Sequence, residues 1–306
     1  HTLPTPYPHP THPPSERLGE GLAAEDSSSA SAALLLYLSL SARKPTLLLP
    51  LAGSFSGATA AARELLCSQL RALLPRLGTE AAEETVERLL AEGAEPNAPL
   101  VYAALEAAAE TGRPLGAKSV QAAVGLSQAL GGQVGGRMIG PILPQLSAEQ
   151  ARAVLPLLLK LPTDSGGEAA HTEAALSGAT MSDVLARMVH ATPPPLPLSR
   201  LLLILHQMDV QKEGVSLKQV MAAVQFCLAE RSLCSQGVLA DALRQLCELE
   251  PLPLLTMRTM IQALIYFPKL GQVTRQHPPP PAPPRPPVSC VVLRMISEAF
   301  KTKRRR

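Results

Sequence analysis

Two glycine-rich segments have compositions typical of catalytic or phosphate-binding loops. Residues 131–136 read Gly-Gly-Gln-Val-Gly-Gly, but neither Lys-Ser nor Lys-Thr follows and no strand precedes them, as a phosphate-binding loop requires. Residues 53–57 read Gly-Ser-Phe-Ser-Gly, which places Phe55 where a nucleophile elbow needs serine. We therefore expect residues 131–136 to be a loop between helices. Neither segment predicts nucleotide binding or hydrolysis.

Metal ligation is the next chemistry that the residue types suggest, but their spacing argues against it. Cys227 and Cys234 are seven residues apart, and Cys247 follows thirteen residues later. Neither spacing fits the close ligand pairs of zinc sites, and the apolar residues around Cys227 predict a buried thiol. Five cysteines are a poor disulfide framework and fit a reducing compartment better. The remaining candidate ligands stand alone on separate segments: His171, His190 and His206.

Acidic side chains do cluster once, at helical spacing and next to an arginine. That arrangement is typical of a solvated helix face rather than of paired catalytic carboxylates. The residues concerned are Glu80, Glu83, Glu84, Glu87 and Arg88. Because no constellation in the sequence resembles a catalytic site, we predict that the chain is not an enzyme and uses no cofactor and no metal.

The elements that carry these residues are predicted to be helices throughout. The chain holds 53 Leu against 23 Val and Ile, with four Phe, four Tyr and no Trp. Leucine and alanine favour helices, whereas β-branched and aromatic residues favour strands. From residue 31 to residue 270, apolar residues recur at three- and four-residue spacing between short Gly and Pro breaks. We predict an all-α, HEAT-like helical-repeat array, or α-solenoid, with a compact irregular helical domain as the alternative.

Capping signals set the ends of several predicted helices. Ser147 with Gln150, and Ser216 with Gln219, have the spacing of capping boxes. The predicted helices cover residues 31–42, 59–74, 80–92, 98–110, 117–130, 148–161, 180–190, 198–208, 217–230, 235–249 and 254–267.

The last predicted helix has two distinct faces. Its larger apolar side chains recur at helical spacing and are expected to be buried. Arg258 and Gln262 are four residues apart, so they lie together on an adjacent face. They either contact a partner or cap the carbonyls of a neighbouring helix. The side chains predicted to be buried are Leu254, Met257, Ile261, Leu264 and Ile265.

Both ends of the chain have a different composition. Residues 1–30 are rich in Pro and Ser, and residues 271–306 hold a proline-rich stretch and a basic tail. Such segments bury too little apolar area to offset their ordering entropy, so we predict disorder in residues 1–30 and 271–287. Residues 278–287 suit either a semi-rigid linker or a polyproline ligand. Residues 288–300 form an amphipathic patch, and residues 301–306 suit a nuclear localisation signal or a solvated tail.

Charge and hydropathy argue against two classes of protein, those that bind single-stranded RNA and those that span a membrane. The net charge is +3, and five of the 28 Lys and Arg residues lie in residues 301–306. A nearly neutral body with few aromatic residues is not typical of a protein that binds single-stranded RNA. No apolar run reaches the roughly 18–20 residues of a membrane span. Because the sequence starts with His1, we expect it to be part of a longer protein.

Specific stretches resemble the C-terminal conserved domain of the symplekin family. The match is most specific at Ala229-Glu-Arg-Ser232 and over residues 251–264, and it extends through residues 206–228 and 267–270. Upstream, residues 142–147 and 155–161 resemble the family's Leu-Pro-x-Leu-Ile-Lys-Leu region, whereas residues 34–130 are similar only loosely. Family helices continue beyond the position of Leu270, where this chain becomes proline-rich.

The resemblance implies a scaffold of the pre-mRNA 3′-end processing machinery. The expected partners are protein subunits of the nuclear cleavage and polyadenylation complex, without a small-molecule substrate, a membrane or direct RNA contact. The alternative is an RNA-binding protein that uses the basic tail and loops. We predict one helical-repeat domain over residues 31–270, and the candidate partner-binding residues within it are Lys218, Arg231, Arg258 and Gln262.

Overall fold

A computed structural model describes residues 35–41, 43–44, 47, 50–93, 95–163 and 179–267. These residues form helices and connecting turns, and none of them lies in a strand. Residues 35–41 are helical. The α-helices that follow are α1 (Pro50–Phe55), α2 (Ala60–Leu73), α3 (Thr79–Ala91), α4 (Ala98–Glu110), α5 (Ala117–Leu130), α6 (Gly132–Ile139), α7 (Ala148–Leu159), α8 (Met181–Val189), α9 (Leu198–Gln207), α10 (Leu217–Ala229), α11 (Gln236–Cys247) and α12 (Thr256–Tyr266).

The all-α prediction is confirmed for the described residues, and most helix ends agree with the sequence to within two residues. Both predicted capping boxes are present, because Ser147 and Ser216 each accept a hydrogen bond from the backbone of the residue three positions later. Short 3₁₀ helices continue or precede the α-helices at Leu74–Arg76, Glu95–Asn97 and Gly140–Gln145. The predictions for residues 1–30, 271–287, 288–300 and 301–306 lie outside the described residues.

Helical contacts divide the described chain into two compact units, one ending at Leu146 and the other starting at Ser147. In the first unit, α4 packs against α2, α3 and α6. Its alanine-rich sequence is buried over most of its length, which lets neighbouring backbones approach closely. Arg71 on α2 donates to Glu106 on α4 over 2.6 Å. An apolar core and one ion pair thus join these helices.

The expected loop at residues 131–136 is wrong, because most of it belongs to helix α6. Gly131 and Gly132 have φ values of 63° and 51°, so they make the sharp turn between α5 and α6. Gly135 is buried against α5, and a Cβ there would lie 2.1 Å from the carbonyl oxygen of Ser127. The glycines therefore form a sharp turn and a close contact between two helices, rather than the predicted loop.

The second unit begins with α7 and ends, within the described residues, with α12. Helix α9 packs against α10 and α11, and α12 packs against the same two helices. Helix α7 contacts α8 and α10, and α8 also contacts α10. The core is leucine-rich, and no Phe, Tyr or Trp is buried among the described residues of this unit. Its helices carry the predicted partner-binding residues.

Candidate protein-binding surface

Local capping fixes where the helices of the second unit start. Besides the two predicted boxes, Thr180 and Asp183 form a third at the start of α8. The Asp183 carboxylate accepts from both the backbone N–H and the hydroxyl of Thr180, over 3.0 and 2.8 Å. These hydrogen bonds lower the pKa of Asp183. Because the carboxylate also lies in the first helical turn, it interacts favourably with the helix dipole.

A buried histidine joins α12 to the body of the unit. His206 Nδ1 lies 2.7 Å from the carbonyl oxygen of Leu202, and Nε2 lies 2.8 Å from the hydroxyl of Thr259 on α12. A carbonyl only accepts, so Nδ1 carries the proton and Nε2 accepts from the Thr259 hydroxyl. Burial lowers the pKa of His206. Sequence reasoning treated this residue as isolated, although its place in the apolar run at 201–206 was a sign of burial.

A second polar contact fixes the loop that follows α10. Glu230 Oε2 lies 3.4 Å from His190 Nε2, and the Ser232 hydroxyl donates to the other carboxylate oxygen of Glu230. The hydrogen bond from Ser232 and the contact with His190 lower the pKa of Glu230. Arg231 stands between these two anchored residues and is exposed. The turn therefore holds the backbone of Arg231 in place while its guanidinium group faces solvent.

The four predicted partner-binding residues do not form one cluster. Lys218 starts α10 and Arg231 follows its end, so the helix separates their backbones by about 20 Å. Arg258 and Gln262 are one turn apart on α12, as predicted. The first three of the four are exposed and Gln262 is half-buried. Within the described residues, their side chains make no ion pair or hydrogen bond, so they are open to a partner.

The predicted orientation of α12 is wrong. Its buried side chains are Thr256, Thr259, Met260 and Ala263, which face the body of the unit. Thr259 meets His206 on this face, which fixes the rotation of the helix, so most of the larger apolar residues face outwards. The outward set, which we call the apolar stripe, consists of Leu254, 86% exposed, Ile265, 62%, Ile261, 42%, and Met257, 38%. Leu264, which was also predicted to be buried, is half-buried.

The comparison with known families places these features in a defined domain. The family model described as the C terminal of symplekin tight junction protein matches residues 136–276. Residues 136–276 are a symplekin C-terminal domain. The match contains the two stretches with the most specific resemblance, and it does not include the loosely similar residues 34–130. No solved structure matches the chain.

All four predicted residues and the whole apolar stripe lie inside this symplekin C-terminal domain. Arg258 lies on α12 with three residues of the stripe, and Leu254 lies just before the helix, so one charged and several apolar side chains share its outer surface. Such a mixture suits contact with a further protein segment, because apolar area contributes binding energy and a charge contributes orientation. The sequence indicated the charged half of this surface but assigned the apolar half to the core.

Three of the four cysteines in the described residues are buried, and Cys247 is half-buried. Cys227 and Cys234 lie inside the symplekin C-terminal domain with no exposed surface, as predicted for Cys227. Burial raises the pKa of Cys227 and raises the pKa of Cys234 to about 11. Such thiols stay protonated at neutral pH, so they are poor nucleophiles and poor ligands.

Within the described ranges, no three His, Cys, Asp or Glu side chains lie close enough together to hold a metal ion. The search for a helix both long enough and apolar enough to span a bilayer found none among the described helices. In the first unit, a cleft beside Glu83 and Arg113 has a volume of about 30 Å³, which is room for water molecules rather than for a substrate.

Proposed function

We propose that the chain is a non-enzymatic scaffold of the nuclear mRNA cleavage and polyadenylation machinery. It displays a helical-repeat surface to protein subunits of that complex and needs no cofactor. The observation that carries the proposal is the symplekin C-terminal domain at residues 136–276. The resemblance of the Ala229-Glu-Arg-Ser232 motif and of residues 251–264 to the same family supports it independently of the fold.

The helix contacts support a repeat arrangement. In the second unit, α8, α10 and α12 contact one another in succession, and α9 contacts α11. In the first unit, α2, α4 and α6 do the same, and α3 contacts α5. Helices that touch their second neighbours along the chain build two layers, as in stacked helical hairpins. Stacking of this kind presents helix faces over a long surface, which suits a protein that holds others together.

Within that surface, we place the partner contact at Arg258 and Gln262. Arg258 is exposed and has no ion-pair partner within the described residues, so it is not fixed by a structural duty. Arginine is enriched in protein interfaces because its planar guanidinium group makes several hydrogen bonds and also packs on apolar surface. Lys218 and Arg231 lie at the two ends of α10 and would belong to separate contacts.

Affinity purification from nuclear extract tests the proposal. The full chain should recover subunits of the cleavage and polyadenylation complex, identified by mass spectrometry. Arg258→Glu should reduce that recovery while leaving thermal unfolding unchanged. The matched control is Arg152→Glu, which makes the same charge change at an exposed position of α7 in the same domain. Recovery of no processing subunit by the unmutated chain would contradict the proposal.

A further inference from the structure

Helix α12 is apolar on two opposite faces. One face, with Thr256, Thr259, Met260 and Ala263, packs on α10 and α11. The apolar stripe lies on the other side and is open to solvent. A helix with apolar residues all round is normally packed between two neighbours. The described part of the second unit supplies a neighbour on one side only.

Stacked helical arrays end in elements whose outer face is polar, because an apolar end face would remain in contact with water. The side of α12 opposite α10 and α11 carries four large apolar residues, so α12 does not have the surface of a terminal element. The exposed apolar side chains are contiguous along the helix and its leading turn, which marks a place where another element packs. The position calls for an element with one apolar face.

The sequence after α12 contains a stretch with the pattern expected of such an element. In residues 288–300, Val-Ser-Cys-Val-Val-Leu-Arg-Met-Ile-Ser-Glu-Ala-Phe, apolar side chains recur at three- and four-residue spacing. On a helix, Ser297 and Arg294 fall on one side, with Glu298 at its border. The remaining, broader face is apolar except for Ser289 and carries Val288, Val291, Val292, Leu293, Met295, Ile296, Ala299 and Phe300. We propose that residues 288–300 pack as an amphipathic helix on the apolar stripe of α12.

The lengths of the two segments and of the chain between them permit this contact. Thirteen helical residues span about 20 Å and the eleven residues of α12 about 17 Å, so one helix covers the other. The twenty residues from 268 to 287 reach up to about 66 Å when extended, which suits either orientation of the second helix.

The connection through the chain also favours this occupant over a second copy of the protein. Two elements joined by a short linker meet at an effective concentration in the millimolar range. A second molecule at micromolar concentration competes poorly against that. The proposal does not depend on the proposed scaffold function, because it concerns packing within one chain.

Tryptophan fluorescence offers a direct test, because the chain contains no Trp. Met295→Trp in the full chain places one indole on the apolar face of the segment. We expect blue-shifted emission and protection from acrylamide. Adding Ile261→Glu, or Ile265→Glu as a second stripe variant, should shift the emission to the red and remove the protection. Both stripe positions are already exposed in the described unit, so circular dichroism should report an unchanged helical fold.

Two matched controls locate the contact. Leu217→Glu changes a residue of similar exposure, 40%, outside the stripe, and it should leave the emission of the Met295→Trp chain unchanged. Arg294→Trp reports on the polar face and should be quenched freely. Solvent-exposed emission from Met295→Trp without a stripe variant would overturn the proposal. So would protection that appears only at high protein concentration, since that result assigns the stripe to a second copy.

Discussion

His206 is the side chain whose environment most directly predicts a response to pH. Its neutral ring donates to Leu202 and accepts from Thr259, and burial lowers its pKa below the usual 6.5. As pH falls below 6.5, His206 takes up a proton in the unfolded chain but stays neutral in the folded chain. The free energy of unfolding therefore decreases until the pH reaches the lower pKa of the folded chain. Chemical unfolding should therefore give lower stability at pH 5.5 than at pH 7.5.

The control for this effect is His206→Leu, which removes the titrating group. Its loss of stability between pH 7.5 and pH 5.5 should be smaller than that of the unmutated chain. Asp183 and Glu230 also have lowered pKa values, but their usual values of 3.8 and 4.5 place their effect at lower pH. An equal loss in both proteins would assign the pH dependence to another group.

Thr259 tests the same contact at constant pH. Thr259→Val keeps the shape of the side chain but leaves buried Nε2 of His206 without a donor. Leaving a buried acceptor unpaired costs about 1–3 kcal/mol, so the free energy of unfolding at pH 7.5 should fall by that amount. The double variant with His206→Leu should lose less than the sum of the single losses, because the two residues share one interaction. Additive losses would mean that the hydrogen bond contributes nothing.

The candidate site shows what residue types alone leave open. Spacing predicted a helix over 254–267, where the structure has one over Thr256–Tyr266, and it placed Arg258 and Gln262 on one face. Which apolar face is buried did not follow, because periodicity favours the face with the largest side chains. The body of the unit instead accepts Thr256, Thr259, Met260 and Ala263. That choice depends on the space left by α10 and α11 and on the His206 contact, neither of which is local in sequence.

At the scale of elements, the α5–α6 contact predicts opposite effects for two glycines. Gly135→Ala would place a Cβ 2.1 Å from the Ser127 carbonyl oxygen, so the two helices must separate. We expect the free energy of unfolding to fall by about 1–3 kcal/mol, the usual cost of overpacking. Urea unfolding followed by circular dichroism measures it.

Gly125→Ala is the matched control for Gly135→Ala. Gly125 lies in the exposed middle of α5, and a Cβ there meets no atom within 4 Å. Alanine favours a helix interior over glycine by about 0.5–1 kcal/mol, so this variant should be more stable than the unmutated chain. Destabilisation by both variants to the same extent would show that the close approach at Gly135 is not what matters.

At the scale of the whole molecule, composition predicted the fold class and capping signals predicted helix starts, whereas the glycine pattern predicted the wrong local structure. The excess of leucine and alanine gave the all-helical class, and Ser147 and Ser216 gave helix starts to the residue. A glycine can allow a sharp turn or the close approach of two helices, and the sequence alone does not show which of the two it does. Residues 131–136 combine both, so a loop was expected where a turn is followed by a helix. The three-dimensional partner, here Ser127, decides between them.

Charge distribution carries the prediction that separates a protein scaffold from an RNA-binding protein. Without residues 301–306, the chain holds 23 Lys and Arg against 25 Asp and Glu. Any affinity for single-stranded RNA should therefore come from the five basic residues of the tail. Neutralising five phosphates limits the slope of log affinity against log salt to about −3.5. Filter binding or fluorescence anisotropy over a range of salt concentrations measures that slope.

Replacing the five tail residues by Gln should abolish RNA binding, since nothing in the nearly neutral remainder attracts phosphates. The matched control replaces five exposed body cations by Gln and should leave the affinity and its salt slope unchanged. Those five are Arg88, Arg152, Lys218, Arg231 and Arg258. Affinity that survives loss of the tail charges but is lost with the body charges would reverse the assignment. Such a result would make the helical surface itself an RNA-binding surface.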